Sequence, residues 1–375
     1  MTPVVTLFQR QRYSNVAVPL PEKALIAGIR LSTARGRSHP AIAQAMGDDC
    51  AVLRLPSHLD SLVTTDFTLE GIHFRRDWHP AEVVGHRCLA RGLSDIAAMG
   101  GEPVAVFLSL ALPRDLPQSW IGRFTRSLIA LAKKHGATLA GGDTAESPNG
   151  ILADIVVVGS VPKGRAILRS GARPGDRIYV SGELGGSAAA LAQLQAIEGT
   201  GRHPERKRPS AGARACPEQA SPAGASNGDL ARTKATVDPR SYPRHFYPEP
   251  RVELGRILRE KKLASAMIDL SDGLSTDLAH ICEESHVGAE LSEALIPRAR
   301  VGQPARTVDL ALALHGGEDY ALLFTVPPGK RIPTQIAGVP LTQIGHITRS
   351  RCLSIANPKN VAHELVPQGW EHFRR

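Results

Sequence analysis

The carboxylates of this chain cluster in a way that suggests chemistry. Six groups place an acid beside glycine or hydroxyl residues at the edges of apolar runs. They are Gly47–Asp48–Asp49, Thr64–Thr65–Asp66, Leu93–Ser94–Asp95, Gly141–Gly142–Asp143–Thr144, Ile268–Asp269–Leu270–Ser271–Asp272–Gly273 and Gly316–Gly317–Glu318–Asp319. Any single Asp of this kind reads as a helix cap or turn residue. Six of one type make independent capping a poor account of them all. Many oxygen donors, few clustered histidines and no thiol ligands suit a hard cation. Mg²⁺ takes oxygen ligands and commonly bridges protein carboxylates to substrate phosphates. A carboxylate cluster would repel a nucleotide unless metal ions intervened, so the residues point to Mg²⁺-dependent phosphate chemistry. Neither G-x-x-x-x-G-K-[ST] nor G-x-G-x-x-G occurs, which argues against P-loop ATPases, protein kinases and Rossmann dehydrogenases.

The elements that must position these acids alternate between strand and helix patterns. Residues 62–66, 103–112 and 151–161 read as strands, and 82–98 has helical spacing with Asp95 inside it. An acid buried within that helix requires a partner. Trp120, Ile121, Phe124, Leu128 and Leu131 mark a second amphipathic helix, stopped by Gly136. Beyond a Gly/Arg/Pro-rich joint, 177–181, 267–270, 320–326 and 341–347 read as strands. Residues 186–197, 252–263 and 272–285 read as helices. The fold class is α/β (α+β). Ligands of open α/β sheets bind beyond the carboxyl ends of strands, and Asp66, Asp143 and Asp269 are expected there.

A length of 375 residues suits two domains, with a boundary expected near residue 162. Residues 199–244 are rich in Pro, Gly, Ala, Ser and Arg and poor in large apolar side chains, which predicts a mobile insertion. Net charge is +9, but residues 198–247 hold nine Lys/Arg against five Asp/Glu, and aromatic residues are only 4%. No basic stripe with interleaved aromatics appears, so nucleic acid is not an expected partner. No apolar run reaches the roughly 18–20 residues of a spanning helix, so no membrane partner is expected either. Five scattered cysteines without a C-x-x-C fit a reducing cytoplasm.

Seven segments, in order, carry a resemblance: GDDCAVL (47–53), TTDFTLEGIHF (64–74), LSDIAAMGGEP (93–103), GGDT (141–144), RSGARPGD (169–176), IDLSDGLSTDL (268–278) and GGEDYALLFTV (316–326). Together they resemble the thiamine-monophosphate kinase family, of the superfamily that includes aminoimidazole ribonucleotide synthetase. The resemblance implies a two-domain fold: an N-terminal ATP/Mg-binding and dimerisation domain (1–161) pairing into a dimeric β-barrel, and a C-terminal α/β domain (162–375). It implies a homodimer that phosphorylates thiamine monophosphate to thiamine diphosphate with ATP and several Mg²⁺ ions. Matched position by position, Asp49, Thr64, Thr65, Asp66, Asp95, Asp143, Asp269 and Asp272 are its metal positions. Gly142, Asp143, Arg169 and Ser271 are its ATP positions, and His73, Glu318 and Trp370 its substrate positions. No protein general base is expected, because a phosphate monoester with a second pKa near 6 is already mostly ionised at neutral pH. Two rival readings are an amide-activating synthetase of the same superfamily and a non-catalytic binder of thiamine phosphates or ATP.

Overall fold

A computed structural model describes residues 42–44, 51–54, 58–200 and 237–371. Asp49 and most of the biased stretch after Gly199 lie outside the described residues.

The first sheet is built from β1 (Ile42–Gln44), β2 (Ala51–Arg54), β3 (Leu59–Leu69), β4 (Glu102–Leu112), β5 (Thr138–Glu146) and β6 (Leu152–Pro162). Its order is β1-β2-β3-β6-β4-β5. Every pair is antiparallel except β4 with β5, which the helical crossover between them permits. Helices α1 (Ala81–Ala98) and α2 (Gln118–Lys134) cover one face. Strand β6 shows the resulting alternation: Ala153, Ile155, Val157 and Val161 are buried, while Asp154, Val156 and Val158 lie on the other face and are only partly covered. That other face carries Phe67, Val104 and Phe107, which are 54%, 50% and 37% exposed.

The second sheet contains β7 (Arg177–Ser181), β8 (Ala266–Asp269) and β9 (Gly288–Ser292). A short ribbon, β10 (Arg300–Val301) with β11 (Arg306–Thr307), stands apart from it. Strands β12 (Leu322–Val326), β13 (Gln335–Ile336), β14 (Val339–Thr348), β15 (Leu353–Ala356) and β16 (Ala362–Glu364) complete the sheet. The order is β16-β15-β9-β14-β7-β12-β8, with β13 pairing on β14. Five helices accompany it: α3 (Gly186–Thr200), α4 (Pro243–Phe246), α5 (Val252–Glu260), α6 (Leu274–Ser285) and α7 (Leu310–His315).

The two sheets share a core across α1. One apolar cluster joins Leu89, Leu93 and Ile96 of α1 to Ile155 and Val157 below, and to Leu254, Leu258, Met267 and Phe324 from the second half. Helix α5 approaches α1 so closely that a Cβ on Gly255 would lie 2.1 Å from the Ala97 carbonyl oxygen. No helix of the described residues is long and apolar enough to cross a membrane.

Two expectations change. Asp66 lies inside β3 and Asp143 inside β5, so only Asp269 ends its strand. The strand-end rule belongs to open parallel sheets, and these sheets are mostly antiparallel. The biased stretch also ends earlier than residue 244. Val237 is buried, and α4 inserts Phe246 against Val83 of α1 and Leu194 of α3.

Candidate active site

A cavity of about 1000 Å³ opens between the two halves. Its walls come from the loop after β3 (His73, Phe74), the polar stripe of α1, the start of α3, the end of β8, the 316–318 loop and the C-terminal segment at Trp370. Of the sequence-predicted residues, it gathers Asp66, Asp95, Asp269, Ser271, Asp272, His73, Glu318 and Trp370. Thr64 joins them through Asp95, to whose carboxylate its hydroxyl donates.

Helix α1 organises the wall. Arg87, Arg91 and Asp95 recur every four residues, so they form one stripe on a helix otherwise buried in apolar contacts. Each rung of the stripe meets a different partner. Arg87, 4% exposed, donates from Nη2 to Glu318 Oε2 at 2.7 Å. It also donates to the His245 carbonyl and, at 3.4 Å, to the His73 carbonyl. Arg91 reaches Asp66 Oδ1 from Nε at 3.1 Å and from Nη2 at 3.0 Å. Asp95 accepts from Thr64. The sequence reading identified Asp95 alone. The missed signal was R-x3-R-x3-D inside an apolar helix, where each buried guanidinium demands an acceptor.

Electrostatics follow from these pairs. Burial would push the Glu318 carboxyl up, but the neighbouring cations, Arg87 above all, outweigh it and hold it at about 2. Burial raises the Asp66 carboxyl, with Arg91 opposing. Below Arg87 sits a buried imidazole pair. His79 and His245 face each other through Nε2 at 2.9 Å, and Ser187 Oγ is 2.9 Å from His245 Nδ1. Burial, with the Arg87 charge behind it, pushes His79 down to about 4 and His245 well below its ordinary value. Both rings are therefore neutral near pH 7. His73 accepts the Leu69 N–H at Nδ1, 3.0 Å away, so its neutral ring carries the proton on Nε2.

The 316–320 loop is held in a costly conformation. Glu318 and Tyr320 have φ of 65° and 46°. Such residues cost of order 1–3 kcal/mol each and persist where surroundings over-determine them. Here the Glu318 N–H donates to Ser271 and the Tyr320 N–H to Leu270, at 2.8 and 2.9 Å. Asp319 between them accepts the N–H groups of Gly185 and Ser187, at 2.6 and 3.3 Å, tying the loop to the start of α3. Burial pushes the Asp319 carboxyl up to about 6. Asp277 has a comparable structural task. Its Oδ2 accepts from the N–H groups of Asp272 and Gly273 at 3.2 and 3.0 Å. Burial, with Asp272 and Asp269 nearby, raises its carboxyl well above the usual range. With His280, Asp272 and Asp277 place candidate ligand atoms within 4.8 Å of one another. The Trp370 backbone N–H donates to the Asp272 carbonyl at 3.0 Å, and the residue is 54% exposed at the cavity.

Other predicted residues stand elsewhere. Successive strand residues point to opposite faces, so Thr65 turns away from Thr64 and Asp66. Its hydroxyl donates to Asp154 at 2.7 Å on the open face of the first sheet. Asp143 shares that face: Phe67, Asp154, Ser109 and Asp143 stand in register across four strands. Gly142 packs against β4, where a Cβ would lie 1.8 Å from the Leu108 carbonyl oxygen. Arg169 sits in a turn outside the cavity wall, close enough to Asp277 to oppose the rise of its carboxyl.

Carboxylates from both halves, Asp66, Asp95, Asp269 and Asp272, gather in the cavity, with Thr64 behind Asp95 and no thiol among the described lining residues. That donor set fits a hard divalent cation better than a soft one.

Comparison with known proteins agrees with this architecture. Residues 47–161 match the family model for the AIR synthase related protein, N-terminal domain, and residues 173–355 match the one for its C-terminal domain. The thiamine-monophosphate kinase of Escherichia coli (strain K12) is 39% identical over 311 residues, covering 81% of this chain and 83% of the relative. That of Bacillus subtilis (strain 168) is 31% identical over 347 residues, covering 91% and 97%. Among solved structures, AaThiL complexed with AMPPCP and TMP superposes with a TM-score of 0.71 at 28% identity, covering 94% of this chain and 97% of that one. Thiamine-monophosphate kinase from Stenotrophomonas maltophilia K279a gives 0.64 at 32% identity, covering 88% and 95%. HypE of E. coli, at 17% identity and a TM-score of 0.59, shares the fold alone.

Proposed function

Because the chain belongs to the thiamine-monophosphate kinase family of AIR synthase related proteins, we propose that it transfers the γ-phosphoryl group of ATP to thiamine monophosphate, giving thiamine diphosphate. The observation that carries this reading is the interdomain cavity, where acids from both halves face His73, Glu318 and Trp370. The nucleophile is a phosphate oxygen of the substrate, so no side chain need remove a proton, and direct in-line transfer requires only alignment and charge control.

Asp66, Asp95, Asp269 and Asp272, with Thr64, would hold Mg²⁺. When bound, Mg²⁺ screens the repulsion between the two anions and stabilises charge on the transferred group. The chain's own residues do the rest. Glu318, kept ionised by Arg87, offers an acceptor to the amine of the substrate's pyrimidine. Trp370 presents a flat apolar face for stacking, and His73 presents an N–H donor. Ser271 belongs to the ATP side of the cavity. The open face of the first sheet supports the homodimer: Phe67, Val104 and Phe107 form an apolar patch fit for a second copy. Pairing there would close a shared barrel and bring Thr65 and Asp143 to the subunit interface. Arg169 and Asp49 retain ATP and metal roles only by their match to the family pattern.

The test is chromatographic detection of thiamine diphosphate after incubation of purified protein with ATP, Mg²⁺ and thiamine monophosphate. Wild type should form product, and Asp66→Asn should lose roughly 100-fold or more in rate. A folded, ATP-binding protein that forms no product would favour an amide-activating relative or a non-catalytic binder.

A further inference from the structure

Two arginines of the α1 stripe hold acids of the cavity, and they do so differently. Arg87 is 4% exposed and spreads its donors over Glu318 and the carbonyls of His245 and His73. Three segments fix it, so it is a permanent part of the wall. Among the described residues, Arg91 hydrogen-bonds Asp66 only, from Nε to Oδ1, and its Nη2 forms an ion pair with the same oxygen. The Arg91 side chain is 17% exposed and the Asp66 side chain 25%, and both line the cavity. Both acids reach the cavity to a similar extent, so the difference lies in the cations: Arg91 lines the cavity beside Asp66, whereas Arg87 is buried behind Glu318 and held by three segments.

Asp66 shares the covered face of β3 with Thr64, whose hydroxyl donates to Asp95. A guanidinium on Oδ1 keeps a full positive charge within a few ångströms of any ion approaching Oδ2. The two cations repel, and they draw on the same carboxylate charge.

We infer that Arg91 is a resident counter-cation of Asp66: it neutralises this acid while the site is unloaded, competes with the divalent ion for it, and yields it when the ion binds. The inference rests on the reading of Asp66 as a metal ligand. The arrangement has a reason. Asp66 stands in the field of Asp154 and Glu318, so an empty site without Arg91 would hold unscreened like charges. The released guanidinium has a second anion at hand, because Glu318 also acts on Arg91. Arg91 thus sets the metal affinity of the site through its hold on Asp66.

The experiment is a Mn²⁺ titration of the full chain without nucleotide, following the free-ion EPR signal, with Mn²⁺ as the probe. Wild type, Arg91→Met, Arg91→Gln, Arg91→Lys, Asp66→Asn and the Arg91→Met/Asp66→Asn double variant are compared. Competition requires that the two neutral variants bind Mn²⁺ tighter by about three- to tenfold, the range expected for removing one partly exposed opposing charge. Arg91→Lys, which keeps the charge, should stay near wild type. The gain should vanish in the double variant, and Mn²⁺ should raise the thermal midpoint more in Arg91→Met than in wild type. Neutral variants that bind Mn²⁺ equally or more weakly, while Asp66→Asn binds weakly, would overturn the inference and make Arg91 a support of the site. Unchanged binding in Asp66→Asn would remove the metal role of Asp66 itself, and the inference with it. Two neutral replacements guard against one failing to fold.

Discussion

The two faces of the first sheet are made from the same strands and behave as different materials. On the covered face, Thr64 and Asp66 meet the α1 stripe, and every charge has a counter-charge or donor. On the open face, Thr65, Asp154 and Asp143 stand among exposed aromatic side chains. Three consecutive residues, Thr64, Thr65 and Asp66, are divided between them by the two-residue period of a strand. The lesson concerns motif reading: neighbours in a motif need not be neighbours in a site. In this fold the covered face is suited to ligand chemistry and the open face to association. Changes to the first should appear in stability and turnover, and changes to the second in oligomeric state.

The largest expected effect comes from Arg87→Met. Removing one partner of a buried pair strands the other, which costs about 3–5 kcal/mol. Urea unfolding should report that loss, and Arg87→Lys should recover part of it. A loss below about 1 kcal/mol would mean Glu318 does not depend on Arg87, and the contrast between the faces would weaken.

Next is the acid response of the imidazole pair. His79 is held at about 4 in the fold against an ordinary value of 6.5. A group lowered by folding adds stability that is full above its unfolded pKa and is lost as pH falls toward its folded one. The window is therefore pH 6.5 down to about 4, and the shift of His79 bounds its share at roughly 3 kcal/mol. Unfolding free energies at pH 7, 5.5 and 4.5 should fall steeply in wild type and less so in His79→Gln. Equal slopes would show that the ring is not buried in its neutral form.

The smallest effect tests the open face. Phe107→Asp should weaken self-association at least tenfold in sedimentation equilibrium, about 1.4 kcal/mol, while the unfolding midpoint of the monomer changes little. A wild-type monomer, or a variant that dimerises normally, would require another role for Phe67, Val104 and Phe107.

Much of the framework was legible because apolar periodicity reports burial directly. The spacing of Val84, Cys88, Leu93 and Ile96 marked α1, and Trp120, Phe124, Leu128 and Leu131 marked α2. Strand lengths were less legible, since β3 and β5 run on through polar residues that ladder hydrogen bonds tolerate. Asp66 and Asp143 consequently seemed to lie at strand ends. The carboxylates of the cavity were found because they carry motifs. Arg87 and Arg91 offered only their four-residue spacing on an apolar helix and His245 no pattern at all: their meaning depends on partners 231, 25 and 166 residues away in the chain. His245 also borders a stretch whose composition signalled nothing packed, yet it forms the floor beneath Glu318.

The position of α1 between the sheets has a consequence for cooperativity. Most of its apolar residues belong to one cluster fed by both halves of the chain, so neither half can loosen without uncovering it. Two architectural units are thus expected to melt in one transition. Severing the chain near residue 162 would not yield two small proteins. It would yield two partners, each displaying half of a core and each finishing its folding only on meeting the other.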